Sequence, residues 1–432
     1  MKQHQDLMRH LLDNGRVKGD RTGTGTISDF GGMMKFSLQH GFWPIPTTRE
    51  VDHEKVSSEL EWMLKGIVSV QWLKERKNGI WNAWAGDKSG TIGPMYGEQW
   101  RNFGAAVREI AGEDEERLNK ILSDAVSGED YISISAAIEA VKAFVKEKTK
   151  LYQDGGRGGV DQLQYIADEL RNNPDSRRLV VNVWHAGLLP DLSMSPKENA
   201  DNGKMALAPC HSTWQVESHD MTEMEILRQW AYSHIGFQTK VKELINAENG
   251  MSCMELNKQI VAFANVWMNN MGWVESAHPI PMSWQDMQRN PTKKPYDIVA
   301  DYAFNITEEG KKLLAIHKEK DLPTRALSLL CFARSQDVPL GTVFNVGMYS
   351  LLTHLLASMC NMVPWEYTHL MGDHHIYSNQ VEKVKEQLER TPMAPCCVEV
   401  VQELKNLEDF DHKQLVVHYA SHPKIVYPRA AV

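Results

Sequence analysis

Arg334-Ser335-Gln336-Asp337-Val338-Pro339-Leu340-Gly341-Thr342-Val343-Phe344-Asn345 brings an arginine, a carboxylate and an amide together at fixed offsets between two regular elements. Leu327–Phe332 before it is a short apolar run that reads as a strand. Residues 345–361 after it read as an apolar helix. Upstream, Ala208-Pro209-Cys210-His211 offers a thiol between proline and histidine, followed by a strand-like alternation from Ser212 to Ser218. The two segments together suit an enzyme that holds a nucleotide, fixes its base and attacks it with sulfur.

Working outward, Leu179–Trp184 reads as a buried strand. Leu163, Ile166 and Leu170 place a helix before it, stopped by Asn172-Asn173-Pro174. Val56, Leu60, Met63 and Leu64 predict a helix over roughly 51–66. Val381–Leu388 reads as a short polar helix. Residues 104–160 turn rich in Glu, Lys and Ala and end in the glycine loop 154–159, as a helical insert would. A second stretch, 218–327, has amphipathic helical patterns with many Met and Trp residues. The expected fold class is α+β with two mainly helical inserts. Its parts are 1–103, 104–160, 161–217 (with the nucleophile), 218–327 and 328–432.

The 432 residues are 42% hydrophobic and 24% charged, the balance of a soluble globular chain. A net charge of −9 argues against a general nucleic-acid binder, though not against a local basic pocket for one phosphate. No apolar run approaches the roughly 18 residues that span a bilayer, and the start lacks a signal-peptide core, so a cytoplasmic location is expected (a host's cytoplasm if the source is viral). Cysteines at 210, 253, 331, 360, 396 and 397 show no CxxC spacing, so no metal or redox site is expected. Cys331 and Cys360 read as inert core residues.

An isolated Pro-Cys-His is more often structural than catalytic, since a thiol needs a neighbouring cation or helix terminus to become nucleophilic. Arg334 would supply that charge if its strand lies beside that of Cys210. Asp175-Ser176-Arg177-Arg178 sets two guanidiniums side by side at a strand start, a pattern suited to phosphate or to a plain charged surface. Gly372-Asp373-His374-His375-Ile376-Tyr377-Ser378-Asn379 puts His375 and Tyr377 on one face if extended, which suits a sugar hydroxyl.

These residues resemble the thymidylate synthase family. Asp20-Arg21-Thr22-Gly23-Thr24-Gly25-Thr26 is similar to its phosphate loop, Glu59-Leu60-Glu61-Trp62 to its glutamate-bearing helix, and Ile80-Trp81 with Gly93–Trp100 to its folate-side wall. The likeness runs in order over roughly 20–103, 161–217 and 328–432. It implies a large mixed sheet packed at a homodimer interface. It also implies that Cys210 attacks C6 of the pyrimidine, while Arg21, Arg334 and Ser335 bind phosphate. Arg177 and Arg178 would reach that phosphate from the partner subunit, and His375 and Tyr377 would hold the sugar. Asn345, with both a donor and an acceptor, would read uracil, so dUMP is the implied nucleotide. Glu59 would organise water and proton transfers, and Tyr96 would assist near C5. Trp81, Asp337, Gly341, Phe344 and Val432 would meet the folate, with Asp337 also counted among the catalytic groups. The implied one-carbon donor is 5,10-methylenetetrahydrofolate.

The pattern departs from the family at Ala333 (usually glutamine), Val343 (proline), Gly66-Ile67-Val68-Ser69 (a Gly-Asp/Ser-Thr-Asn stretch), Asn82 (aspartate) and Gln380 (histidine). Nucleotide-binding and attacking residues survive while several supporting ones change. Phage hydroxymethylases resemble the family in this way and add water, rather than hydride, to the C5 methylene. The resemblance therefore leans toward a deoxyuridylate hydroxymethylase used in phage DNA modification, with thymidylate synthase as the alternative. An inactive nucleotide-binding regulator is the alternative of another class. The 218–327 insert reads as a stabilising embellishment or as a docking surface for partner enzymes of nucleotide metabolism.

Overall fold

The computed structural model describes residues 1–19, 23–104, 159–234, 237–239, 251–276 and 304–428. The 104–160 insert thus lies almost wholly outside the described residues, as do Arg21 and Val432. In chain order the main elements include α1 (Lys2–Asn14), β1 (Arg16–Lys18), β2 (Thr26–Ser37), α2 (His53–Leu64), α3 (Gly97–Asn102), α4 (Gln162–Asn172), β3 (Val180–Asn182), β4 (His211–Asp220), α5 (Glu223–Ser233), α6 (Cys253–Asn270), β5 (Val274–Ser276), β6 (Phe304–Ile306), α7 (Glu308–Glu319), β7 (Arg325–Asp337), α8 (Gly341–Met359), β8 (Val363–Tyr377) and α9 (Val381–Leu388). They form two compact units, one of Met1–Ser57, Glu169–Leu179 and Trp214–Val432, the other of Ser58–Asp168 and Val180–Thr213.

The first unit is built on a mixed sheet whose strands run β1-β2-β8-β7-β4. β2 pairs antiparallel with β8, and β7 pairs parallel with β8. A parallel pair needs a crossover, and α8 supplies it. That helix is apolar nearly all round and buried along most of its length, as a crossover inside a core must be. Period-two alternation divides β7 into a buried row (Leu329, Cys331, Ala333) and an exposed one (Leu330, Phe332). Register sets Met33, Leu370 and Phe332 across the second face, where Met33 is 65% and Phe332 40% exposed. The C-terminal strap buries Ile425 and Tyr427 against Met8, Leu11, Val338, Ile376 and Val384.

The described residues of 218–327 belong to this unit and are mainly helical, with a small antiparallel β5–β6 pair that their periodicity does not announce. Capping boxes at Thr222/Glu225 and Ser252/Glu255 start α5 and α6, satisfying backbone donors that open each helix. Leu227, Leu256, Ile260, Ala264 and Met268 form a satellite core that closes on Phe42.

The second unit is held by polar anchors as well as apolar ones. Gln162 donates to the carbonyls of Gln99 and Asn182 and accepts from the Asn182 amide. Val183 N–H donates to Ser212 O, joining β3 to the first residues of β4. Asp201 accepts from the Lys88 and Ser89 amides and closes the 86–91 loop.

Several boundaries differ from the sequence reading. The strand expected over Leu179–Trp184 is only three residues long, and Trp184 is exposed. The crossover helix begins at Gly341, so Asn345 sits inside its first turns rather than at its start. Cys331 is buried as expected, but Cys360 is half-exposed at the end of α8. A thiol there is not a core residue.

Candidate active site

In the second unit the candidate nucleophile ends a polar loop. Cys210 precedes β4 and is half-buried. Its backbone N–H donates to the Tyr96 hydroxyl at 3.1 Å. The Tyr96 ring stacks on His211 with centroids 4.1 Å apart, so the residue after the cysteine holds that tyrosine in place. Tyr96 has φ of 36°, an uncommon conformation for a non-glycine residue. Its neighbour must be glycine, because a Cβ on Gly97 would lie 2.7 Å from the Met63 backbone.

From Tyr96 the aromatic row continues to Trp81, at 5.7 Å, and to Trp84, 5.6 Å further. Trp81 Nε1–H donates to Glu59 Oε1 at 2.8 Å. Glu59 lies on α2 and is buried. Burial pushes its carboxyl up to about 7, against the pull of the indole donor. A carboxyl poised there can hold or release a proton near neutrality. Cys210, Tyr96, Trp81 and Glu59, expected from distant parts of the chain, thus form one contact series.

In the first unit the end of β7 and the end of β8 carry the polar set. Ser335, Gln336 and Asp337 face Asp373, His374 and His375 in parallel register. The strands approach closely at Arg334, where a Cβ on Gly372 would lie 2.8 Å from the Arg334 carbonyl oxygen. His375 Nδ1 bonds Asp373 Oδ1 at 2.7 Å. A carboxylate only accepts, so Nδ1 carries the proton and Nε2 is left for another partner. The Tyr377 ring meets His375 edge-on at 4.9 Å, confirming that these two share a face. That hydrogen bond, together with Lys18 Nζ at 3.3 Å, holds Asp373 below the usual carboxylate range.

Asp337 behaves differently. Burial raises it, partly offset by the Gln380 amide, the His375 charge, the Leu340 N–H and Arg49. Asn345 Nδ2 donates to Gln336 Oε1 at 3.2 Å, which fixes how the asparagine presents its other groups. Gly341 and Phe344 lie on the first turns of α8, and Arg334 and Ser335 are half-buried on β7. Arg177 and Arg178 are exposed on the turn after α4. Sequence reading did not find Gln336 or His211 as supports, and took Gln380 only as a departure. For His211 the signal was its position beside Cys210; for the two glutamines it lay in contacts across the fold.

A family model described as "Thymidylate synthase" matches residues 2–232 and 280–431. A protein named thymidylate synthase from Francisella philomiragia is 26% identical over 426 residues, which cover 98% of this chain and 98% of that relative. Among the described residues no helix is long and apolar enough to cross a membrane.

Proposed function

Since the chain belongs to the thymidylate synthase family, and is thereby a one-carbon transferase, we propose that it methylates dUMP at C5 with 5,10-methylenetetrahydrofolate. The observation that carries this reading is the series Cys210–Tyr96–Trp81–Glu59, a thiol and a proton-exchanging carboxyl joined through aromatic rings. In this proposal the Cys210 thiolate adds to C6, and C5 takes the methylene from the folate and gives up its proton. The tetrahydrofolate then passes a hydride to that methylene and leaves as dihydrofolate, and the C6–S bond breaks to return the thiolate. Glu59 exchanges protons with ordered water, while Tyr96 and Asp337 act beside the reacting carbons. Arg21, Arg334 and Ser335 hold the phosphate, and Asn345 reads the base. His375, tied to Asp373, takes the sugar hydroxyl together with Tyr377. Trp81, Asp337, Gly341, Phe344 and Val432 receive the folate.

Methyl transfer is preferred because the Trp84–Trp81–Tyr96 row sets apolar ring faces beside the thiol and the carboxyl, which disfavours water there, and because the full-length relative carries the synthase name. Hydroxymethylation, with water adding to the C5 methylene, stands as the second reading. It is favoured by the exposed Asn82 at a position where the family usually has aspartate. The exposed Met33, Leu330 and Phe332 support a homodimer through the open sheet face, with Arg177 and Arg178 acting on the partner's phosphate.

Mass spectrometry of the nucleotide after incubation with dUMP and methylenetetrahydrofolate tests the proposal. A methyl product with dihydrofolate supports it. A hydroxymethyl product with tetrahydrofolate moves the assignment to the second reading. Nucleotide binding with no new product defeats both and leaves an inactive regulatory relative.

A further inference from the structure

Gln380 has no solvent exposure and spends its whole amide on three separate segments. Its Nε2 donates to Asp337 Oδ2 at 3.3 Å and to the Pro428 carbonyl at 3.1 Å. Its Oε1 accepts from the Tyr377 backbone N–H at 3.2 Å. An amide has two N–H donors and a carbonyl, and here all are used. Pro428 belongs to a strap, 419–428, that is fixed at several points. The single Tyr419 O–H lies within hydrogen-bond distance of both the Pro46 and Arg49 carbonyls, His422 N–H donates to Thr47 O, and the Tyr427 hydroxyl reaches Gln387 Oε1 at 2.7 Å.

We propose that Gln380 is a positioning residue for the folate half of the reaction, clamping the C-terminal strap and Asp337 into one geometry. The inference rests on the functional reading above and deepens it. Neither the sugar-binding nor the nucleophilic groups explain a buried glutamine that joins the end of the chain to a buried carboxylate. The choice of amide also matters. An imidazole, the family's usual side chain here, supplies two N–H donors only when protonated, whereas glutamine supplies both at every pH. The donor side of the clamp in this chain therefore does not titrate, and only its Asp337 acceptor does.

The other groups around Asp337 cannot replace it. Arg49 donates to the Pro339 carbonyl and lies over the Tyr427 ring at 5.4 Å. His375 is engaged with Asp373, and His4 Nε2 faces the Val338 carbonyl. Leu340 N–H approaches the other oxygen, Asp337 Oδ1, at 3.3 Å.

Gln380→Glu and Gln380→Met test the clamp, with kcat and both KM values followed between about pH 5.5 and 8.5 beside equilibrium dUMP affinity. Near pH 8 both variants should lose about tenfold in kcat and gain about tenfold in folate KM, with dUMP affinity within about twofold of the native protein. Removing a donor that lowers the Asp337 carboxyl should also move its acid limb to higher pH. Acid should partly restore Gln380→Glu, because the new carboxyl gains a proton to donate, and should not restore Gln380→Met. A purely structural role would lower dUMP affinity in step with turnover and show no acid rescue, and that result overturns the inference. So does a Gln380→Glu profile equal to the native one. If the native protein makes no product from dUMP, the functional reading falls first and the clamp with it.

Discussion

Glu59 in the second unit and Asp373 in the first each accept from a ring nitrogen at almost the same distance, 2.8 Å from Trp81 and 2.7 Å from His375. Their protons are nevertheless held in opposite ways. Glu59 is pushed up to about 7 while Asp373 is held below its ordinary value. The hydrogen bond favours the charged form in both. What differs is burial and the partner's charge. Glu59 is nearly inaccessible and its donor is an indole, which carries no charge. Asp373 is partly open to water, the His375 charge adds to its hydrogen bond, and Lys18 lies close by. One unit thus keeps a carboxyl that exchanges protons, and the other keeps a fixed negative charge that orients a histidine.

The largest effect should come from the residue that gives the second unit its chemistry. Cys210→Ser should reduce turnover by about a thousandfold or more, because a neutral hydroxyl is a far weaker nucleophile than a thiolate. Product formation measured by mass spectrometry checks it, and near-normal turnover removes Cys210 from the mechanism.

Next in size is Glu59→Gln, which separates the catalytic value of the carboxyl from its cost. Turnover should drop about a hundredfold, the usual scale for a lost acid–base group. Stability should move the other way. The folded-state value of about 7 lies above the ordinary 4.5, so the folded protein holds the proton more tightly than the unfolded chain. The stabilisation from that proton is complete below about 4.5 and is lost as pH rises through about 7. An uncharged glutamine avoids the loss, so the variant should be more stable near pH 8, by on the order of 3 kcal/mol. Denaturant melts of both proteins at acid and alkaline pH measure the difference; a glutamine variant no more stable at pH 8 would contradict the burial argument.

How much of this was readable beforehand depends on whether a residue announces itself locally. Cys210, Glu59, Trp81 and Tyr96 stand in short motifs, and the structure joins all four. The helix expected over 51–66 is there as α2, because its apolar spacing is regular. β2 escaped notice: Gly31 and Gly32 sit in its middle, where glycine argues against a strand, although its register with β8 runs without a shift on either side. Gln380 was visible only as a replaced histidine, since its partners Asp337 and Pro428 lie 43 and 48 positions away. Hydrogen bonds of that reach leave no periodic trace. The start of α8 at Gly341 was equally hidden, for it follows the turn at Pro339-Leu340 rather than a capping side chain.

Asp373→Asn breaks the first unit's side of the comparison. His375 keeps an acceptor but loses its ionic partner, so dUMP KM should rise about tenfold with a smaller change in kcat. The depressed Asp373 value means its stabilisation is present above the ordinary 3.8 and is lost as pH falls through the folded value. The asparagine variant should therefore show a shallower loss of stability in acid. Because Asp373 is partly open to solvent, that change should be small. A change in kcat with dUMP KM unaltered would place His375 outside sugar binding.

The finest test is Trp81→Phe, which keeps most of the aromatic wall and removes only the Nε1–H that Glu59 accepts. That donor lowers the Glu59 carboxyl against the effect of burial, so its loss should carry the carboxyl above about 7 and shift the matching limb of the pH–rate profile to higher pH. Turnover at neutral pH should change by only a few fold, less than a lost acid–base group costs. The direction of the limb decides the matter. If it moves down, or stays where it was, the indole does not set the proton affinity of Glu59. The contrast with Asp373 would then rest on burial alone.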